Sequence, residues 1–581
     1  MLTNDLDLSS LHLGHLPLVR AITQRLGIDS VIDALSPMDP RSVVSDADCV
    51  AAMVMNILSG RCALYSMSEV FEHIDTDVVL GTGKPAEAFN DSRLAAALDH
   101  LYDVGTDNVL AGVVSKVLTL PDSPTAYSVF TDTTSIALQG VYDVEVEPGE
   151  PTPKRGYSKD HRPDLKQLVF GLSLHGALGT PMTCATLDGN ASDKTANRWN
   201  IEALASQLPD HHDVTVVGDS KMVDAKLFGQ LKDEGLHVVS LVPGTFKVRR
   251  DLLDLVRDKG VELAELARSP GRLKADPDSV YSGMSFRRPM EVQDPHTGDK
   301  TLHDMTLLVV HSDAQRRKFD TALTKRLVRE EKAFMDAVNR ANKLGIRCAE
   351  DAGKQRQKLL AKLNLQHTEL VVEAHEVPEK RAKPGRPKKG EAAPTRTEYR
   401  LVYEQLKRDE DAIAKAAFDA AHFVLVTDHM DWSDARILEE YRSQSAIEGH
   451  GGFRWLKNVA LVAPVFLKTP RRIAALGLVF VLALMVRNYL QFELRRRLKA
   501  SNQKVGGRKR NTQTDTPTTE TAMRHFMGVS CIRMCVGERI LQRHTDRLSP
   551  DAQVILELLR VPVEAFSTPF EKWCPAFLET S

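Results

Sequence analysis

AYSVFTDTTSIAL, residues 126–138, carries a single acid, Asp132, at the centre of a β-branched and aromatic run. Val129, Phe130, Thr131, Thr133, Thr134 and Ile136 are β-branched or aromatic, and together they read as a strand. Asp132 closes the apolar part of the run and is expected at a strand end. DVTVVGDSKMV, residues 213–223, repeats the pattern and ends on Asp219. A third acid, Glu448, lies in YRSQSAIEGHGGFRWLK, residues 441–457, which reads as helix.

Working outward, LKQLVFGLSLHG (165–176) and TPMTCATLDGN (180–190) are two further strands, broken by Gly and Asn. DKTANRWNIEALASQL (193–208) is a helix, VTVVGDS (214–220) a strand, VDAKLFGQLKDEG (223–235) a helix and HVVSLVPG (237–244) a strand. Three successive strands followed by alternating helix and strand imply a mixed sheet with helices on its faces. That order is the one found in the ribonuclease H-like fold. The fold class expected is therefore α/β: an RNase H-like mixed sheet flanked by helices, interrupted by an insertion domain and preceded by a helical domain.

Residues 1–118 read as that helical domain. LPLVRAITQRLG, DADCVAAMVMNILSG and DSRLAAALDHLYDVG repeat apolar residues every three or four positions, with Asp or Ser as N-caps. It is expected to bind DNA, although a purely structural bundle has the same pattern. The catalytic fold is expected over 119–245 and 421–500, the second part carrying the Glu448 helix. Between them, 246–420 reads as an insertion. It holds a hairpin at 281–311, a charged helical block at 313–365, and a Pro-, Gly- and Lys-rich linker at 379–400. Residues 501–581 are expected as a disordered polar stretch followed by a short amphipathic tail.

At 581 residues the chain exceeds one compact core, and 42% hydrophobic with 27% charged residues is a globular composition. With 76 basic against 78 acidic residues, polyanion binding has to come from local patches. The seven cysteines form no framework, which suggests reduced thiols. No secretory signal is read at MLTNDLDLSS, so a cytoplasmic, nucleoid-associated protein is expected. IAALGLVFVLALMV, residues 473–486, has fourteen residues. A membrane span needs about 20, so it is expected as a buried helix beneath the catalytic layer, with no membrane partner.

Carboxylates gathered from two strand ends and a helix can hold divalent cations for phosphoryl transfer. At these residues the chain resembles the DDE transposases of prokaryotic insertion sequences, in the subgroup with a Y-R-E-K-type signature around the last acid. The resemblance runs from about residue 5 to 540 and is carried by FTDTTSIAL, GYSKDHRPDLKQLVFGL, LDGNASDKT, VVGDSKMVD and YRSQSAIEGHGGFRWLK. It implies that Asp132, Asp219 and Glu448 are the catalytic, metal-binding acids, holding two Mg²⁺ or Mn²⁺ ions. The intervals are 87 residues (219 − 132) and 229 (448 − 219), the second accommodating the family's insertion domain. It also implies contacts from Tyr441 and Lys457 to DNA phosphates. Double-stranded DNA, as terminal inverted repeats and target, is the expected partner, with a homodimer assembled on it.

Two features depart from the family pattern. Gly449 to Leu456 place eight residues (456 − 448) between the glutamate and the lysine, where the family has six. Two extra residues turn a helix by about 200°, and the Gly449, Gly451, Gly452 cluster could absorb this as a bulge. The signature arginine falls at Gln444, with Arg442 and Arg454 as substitutes. Lys159 and Arg162, in a charged turn before the second strand, are either solvated or phosphate contacts. Asp188 and Asp193 read as turn and N-cap residues. From Lys380 to Arg400 eight basic residues oppose two acids, and PGRPKK within it looks like an AT-hook centred on Arg386. From Leu494 to Arg510 there are eight basic residues and no acid, a run suited to tracking a phosphate backbone.

Overall fold

The computed structural model describes residues 6–60, 62–120, 123, 128–138, 142, 146–157, 162–208, 214–270, 277–378, 395–446 (without the side chains of 445 and 446), 452, 455–456, 467, 469–537 and 539–574. The chain opens on a strand, β1 (Leu6–His12), where helix was expected. β1 is antiparallel to β17 (Ser530–Val536), which pairs in turn with β18 (Arg539–Thr545). Helices follow as expected: α1 (Leu16–Arg25), α2 (Ile28–Leu35), α3 (Asp46–Leu58), α4 (Met67–Phe71), α5 (Thr76–Val79), α6 (Asp91–Asp103) and α7 (Thr106–Leu118). A capping box starts α3: Ser45 Oγ accepts from Asp48 N, and the Asp48 carboxylate accepts from Ser45 N.

Next come β2 (Ser128–Ala137), β3 (Gln167–His175), β4 (Pro181–Leu187), α8 (Asp193–Gln207), β5 (Thr215–Gly218), α9 (Ala225–Asp233) and β6 (His237–Leu241). β2, β3 and β4 are successive antiparallel neighbours, while β5 is parallel to β2 and β6 to β5. This is the mixed sheet with helical crossovers that the strand and helix pattern called for. α8 is capped by Ser192 and α9 by Asp224, each accepting a backbone N–H of the first turn.

The sheet is larger than the sequence suggested. α10 (Lys247–Asp258), β7 (Ala264–Ser269), β8 (Ser279–Gln293) and β9 (Lys300–Ser312) come next, and β14 (His422–Thr427) follows the remainder of the inserted stretch. The nine strands run β4-β3-β2-β5-β6-β14-β9-β8-β7. The first part of 246–420, expected outside the catalytic fold, is therefore continuous with its sheet. What stands apart is α11 (Asp313–Lys343), α12 (Ala349–Leu360), the strands β10 (Gln366–His367), β11 (Val371–Pro378), β12 (Thr395–Val402) and β13 (Lys407–Arg408), and α13 (Glu410–Ala421). A small separate core of Phe334, Val338, Ala352, Leu359, Leu370 and Leu401 holds α11, α12, β11 and β12 together, while Phe418 of α13 packs against the main core. β12 takes residues 395–400 out of the expected linker, because Thr395 to Val402 pair with β11.

α14 (Asp434–Ala446) is followed by α15 (Pro470–Ser501). α15 is long and apolar enough to cross a membrane, but its most apolar window is entirely buried in the protein. It packs against α1, α3, α6, α7 and β4 and so lies between the N-terminal helices and the sheet. Each fully buried Leu, Val or Phe on it contributes roughly 1.5–3 kcal/mol. The N-terminal helices and the sheet consequently share one core cluster. Arg471 and Arg472 at its start bind Asp99 and Asp103 on α6.

The stretch after α15, expected to be disordered, is ordered. β15 (Val505–Gly506) pairs with β16 (Gln513–Thr514), and α16 (Thr519–Arg524) and α17 (Pro550–Leu558) flank the β17–β18 hairpin. Its polar composition conceals anchors: Val505 is fully buried, Arg495 Nε donates to Pro517 O at 2.7 Å, and His525 Nε2 lies 3.0 Å from Gly506 O. All seven cysteines are free thiols.

Candidate functional site

Asp132 sits in the body of β2, since the strand continues five residues beyond it to Ala137. The expectation of a strand end fails because Thr133, Thr134 and Ser135 pair with Gly171, Phe170 and Val169 of β3. Asp219 does stand where β5 ends, as the cap of a short 3₁₀ turn. Its Oδ1 accepts Lys221 N at 2.8 Å, and Ser240 Oγ donates to its carbonyl at 2.7 Å.

The register brings these two acids together. β2 and β5 are parallel, with Ser128 opposite Thr215, Val129 opposite Val216 and Phe130 opposite Val217. Parallel strands advance in step, so Asp132, two beyond Phe130, is level with Asp219, two beyond Val217. Neighbouring strands are about 4.8 Å apart. Gly218 fixes the phase: a Cβ there would lie 3.4 Å from Thr131 Cγ2, so Gly218 and Thr131 share one face. Asp219 is still extended (φ −73°, ψ −177°), and successive extended residues alternate, so Asp132 and Asp219 turn to the other face. Thr131 Oγ1 accepts from Asn200 Nδ2 at 3.0 Å, and Thr133 Oγ1 donates to Asp193, both partners on α8. The acid pair therefore looks away from α8.

The face carrying Asp132 is the one covered by α15. Thr134 and Ile136, two and four residues after Asp132, line a small apolar cavity with Phe170, Gly477, Phe480, Val481 and Leu456. Leu456 belongs to the segment that follows Glu448, so the downstream end of that segment lies against this face. Asp132 is half-buried, with Thr133 N donating to its Oδ1 at 2.7 Å, and Asp219 is exposed. Carboxylates level on adjacent strands, one of them open to solvent, suit hard divalent cations that keep much of their water.

Glu448, Lys457, Arg454, Lys159 and Arg386 lie outside the described residues. Among the described residues no group of three His, Cys, Asp or Glu side chains is placed to hold a metal ion. Tyr441 is partly buried, its ring 6.3 Å from that of Phe423. Arg442 donates to Ser269 Oγ and lies 4.4 Å over the Tyr281 ring, which places it at β7 and β8 rather than beside the acids. Gln444, where the signature arginine would fall, is buried. Arg162 is exposed and forks onto Asp164 at 2.9 and 2.7 Å. Asp188 accepts from Thr152 N and Lys154 Nζ as a turn residue, and Ser192 rather than Asp193 caps α8.

One cluster has no signal along the chain, because three separate segments build it: Thr215, His237 and residues 428–436. His237 Nδ1 is 2.7 Å from Asp428, and His429 Nε2 is 2.8 Å from Thr215 Oγ1. The His429 ring stacks on Trp432 at 3.7 Å, and Arg436 covers the other side of that indole. Burial and the neighbouring His237 push His429 down to about 4. Thr215 and His237 begin β5 and β6, so this cluster lies at the opposite end of those strands from Asp219.

A family model described as a domain of unknown function, DUF4277, matches residues 8–115, from β1 into α7. No curated protein matches the chain. Among solved structures, the chain is similar to a piggyBac transposase synaptic complex with hairpin DNA. That alignment has 8% identity over 99% of this chain and 87% of that one, at a TM-score of 0.35. It is also similar to a pre-cleavage Mos1 transpososome, with 11% identity over 35% of this chain and 60% of that one, at a TM-score of 0.14.

Proposed function

We propose that this chain is a DNA transposase with an RNase H-like core, one that cuts the ends of an insertion sequence and joins the freed 3′-OH to target DNA. The observation that carries the reading is the level placement of Asp132 and Asp219 on adjacent parallel strands, on one face of a sheet whose first five strands run antiparallel and then parallel. Asp132 and Asp219 would hold the metal, with Glu448 as third acid. Two bound Mg²⁺ or Mn²⁺ ions would supply activation of the attacking oxygen and stabilisation of the leaving 3′ oxygen. Asp132, fixed in mid-strand, sets position, and the more exposed Asp219 can yield to a ligand entering from solvent. The partners proposed are terminal inverted repeats and target duplex, with a dimer of this chain pairing two ends in the nucleoid.

Incubation with a duplex carrying the repeats that flank the gene, in Mg²⁺, tests the reading. Cleaved and joined products are expected. Cleavage without joining leaves a hydrolytic nuclease, and unchanged processing by Asp132→Asn would sink the catalytic role.

A further inference from the structure

Two adjoining clefts, of about 680 and 590 Å³, share Thr516 and Thr518 and run along the C-terminal half of α15. One wall is α15 from Arg487 to Lys499, and the others are the β3–β4 turn, Gly176 to Gly179, and the segment from Gly507 to Arg524. Seven basic side chains line them against two acids, Asp515 and Glu520, in a chain whose overall net charge is −2. Lys499, Arg508, Lys509 and Arg524 are exposed. Burial and the neighbouring Arg487 hold the Arg495 guanidinium below the ordinary arginine value, as cations crowded without a full set of anions should be. Thr512, Thr514 and Thr516 add hydroxyls to the lining.

The two clefts adjoin as one groove, with Arg495, Arg496 and Lys499 of RRRLK lining one part and Arg508 and Lys509 of GGRKR lining the other. Its α15 wall is about 18 Å long at 1.5 Å per residue, the length of about five base steps of one DNA strand. Trp455 lines the near end, and the next residue, Leu456, packs against the face that carries Asp132. We propose that this groove holds the sugar–phosphate backbone of duplex DNA and leads it toward Asp132 and Asp219, an assignment that rests on the transposase reading. Arginine, lysine and threonine donors of this kind bind phosphates without reading sequence.

The test is binding of a fluorescent mixed-sequence duplex by the full chain across a salt series. The groove variant carries Lys499→Glu, Arg508→Glu and Lys509→Glu. A control with the same charge change on α11 carries Lys325→Glu, Arg329→Glu and Lys332→Glu, all exposed. Both are checked for an unchanged Tm, with alanine versions replacing any that unfold. The groove variant is expected to lose more than about tenfold in affinity and about 3 from the log–log salt slope, since each phosphate contact contributes about 0.9. The control should keep both. If the groove variant binds as the parent does, or the control loses as much, the groove assignment is overturned and the transposase reading stands. If the parent protein binds no duplex at low salt, the transposase reading itself falls.

Discussion

At the scale of single residues, the acids and one histidine make the sharpest statements. Asp219 is exposed and its carboxylate accepts one local N–H, so Asp219→Asn should leave stability within about 0.5 kcal/mol. The same change should lower DNA cleavage by more than about a hundredfold, beyond what loss of an outer metal partner costs. Cleavage of a labelled duplex beside a thermal melt separates the two effects. His175 is fully buried, and its Nδ1 accepts from Ala177 N and Leu178 N at 3.2 Å. Burial pushes it down to about 4 from 6.5. The native state therefore binds fewer protons than the unfolded chain between these values, and stability rises with pH across that window. Taking the pH from 7 to 5 should cost about 2 kcal/mol through this residue. Urea midpoints at both pH values should show a smaller loss in His175→Asn. His429, also held low, adds a loss of the same sign in both proteins.

At the scale of elements, close approach decides what is tolerated. α9 packs on the β8–β9 hairpin through Gly229, where a Cβ would meet Gln293 O at 1.7 Å. Alanine is favoured over glycine in a helix by about 1 kcal/mol, so an exposed site would gain from the change. Here the obstacle is backbone and cannot rotate aside. Gly229→Ala should therefore destabilise by about 2 kcal/mol or more, read as a lowered urea midpoint. The α15 helix shows the reverse situation. Its apolar surface points in every direction, which alone would fit a membrane span, yet N-terminal helices and sheet cover it on all sides.

At the scale of the whole molecule, the two ends of the chain close on each other. β1 pairs with β17, and Arg543 on β18 binds Asp75, whose side chain is fully buried, and Asp77 beside it. Arg543→Ala would leave Asp75 charged and unpaired in the core, which typically costs about 3–5 kcal/mol. A Tm drop of several degrees, relieved in part by pairing the change with Asp75→Asn, is the expected result. If the double variant melts no higher than the single one, the buried charge is not the cause. The β1–β17–β18 sheet and the shared core make the N-terminal helices a layer of one body, rather than an appendage to the sheet.

Local chemistry was legible in the sequence because it is local. The β-branched runs around Asp132 and Asp219 named two strands, the three- and four-residue spacing named the helices, and the unbroken apolar run of α15 named a buried segment. Partners were not legible. A period-two run specifies a strand without saying which other strand it joins, so Leu6 to His12 gave no hint of Ser530 to Val536 more than five hundred residues away. For the same reason the hairpin at 279–312 could be seen while its place in the main sheet could not. Polarity suggested disorder for 502–521, but a few anchors such as Val505 and Pro517 outweigh composition once a surface exists to receive them. The candidate site divides in the same way. Residue type and flanking motif singled out Asp132 and Asp219 individually. Only the parallel register of β2 with β5, set by long-range hydrogen bonding, puts them at one level on one face.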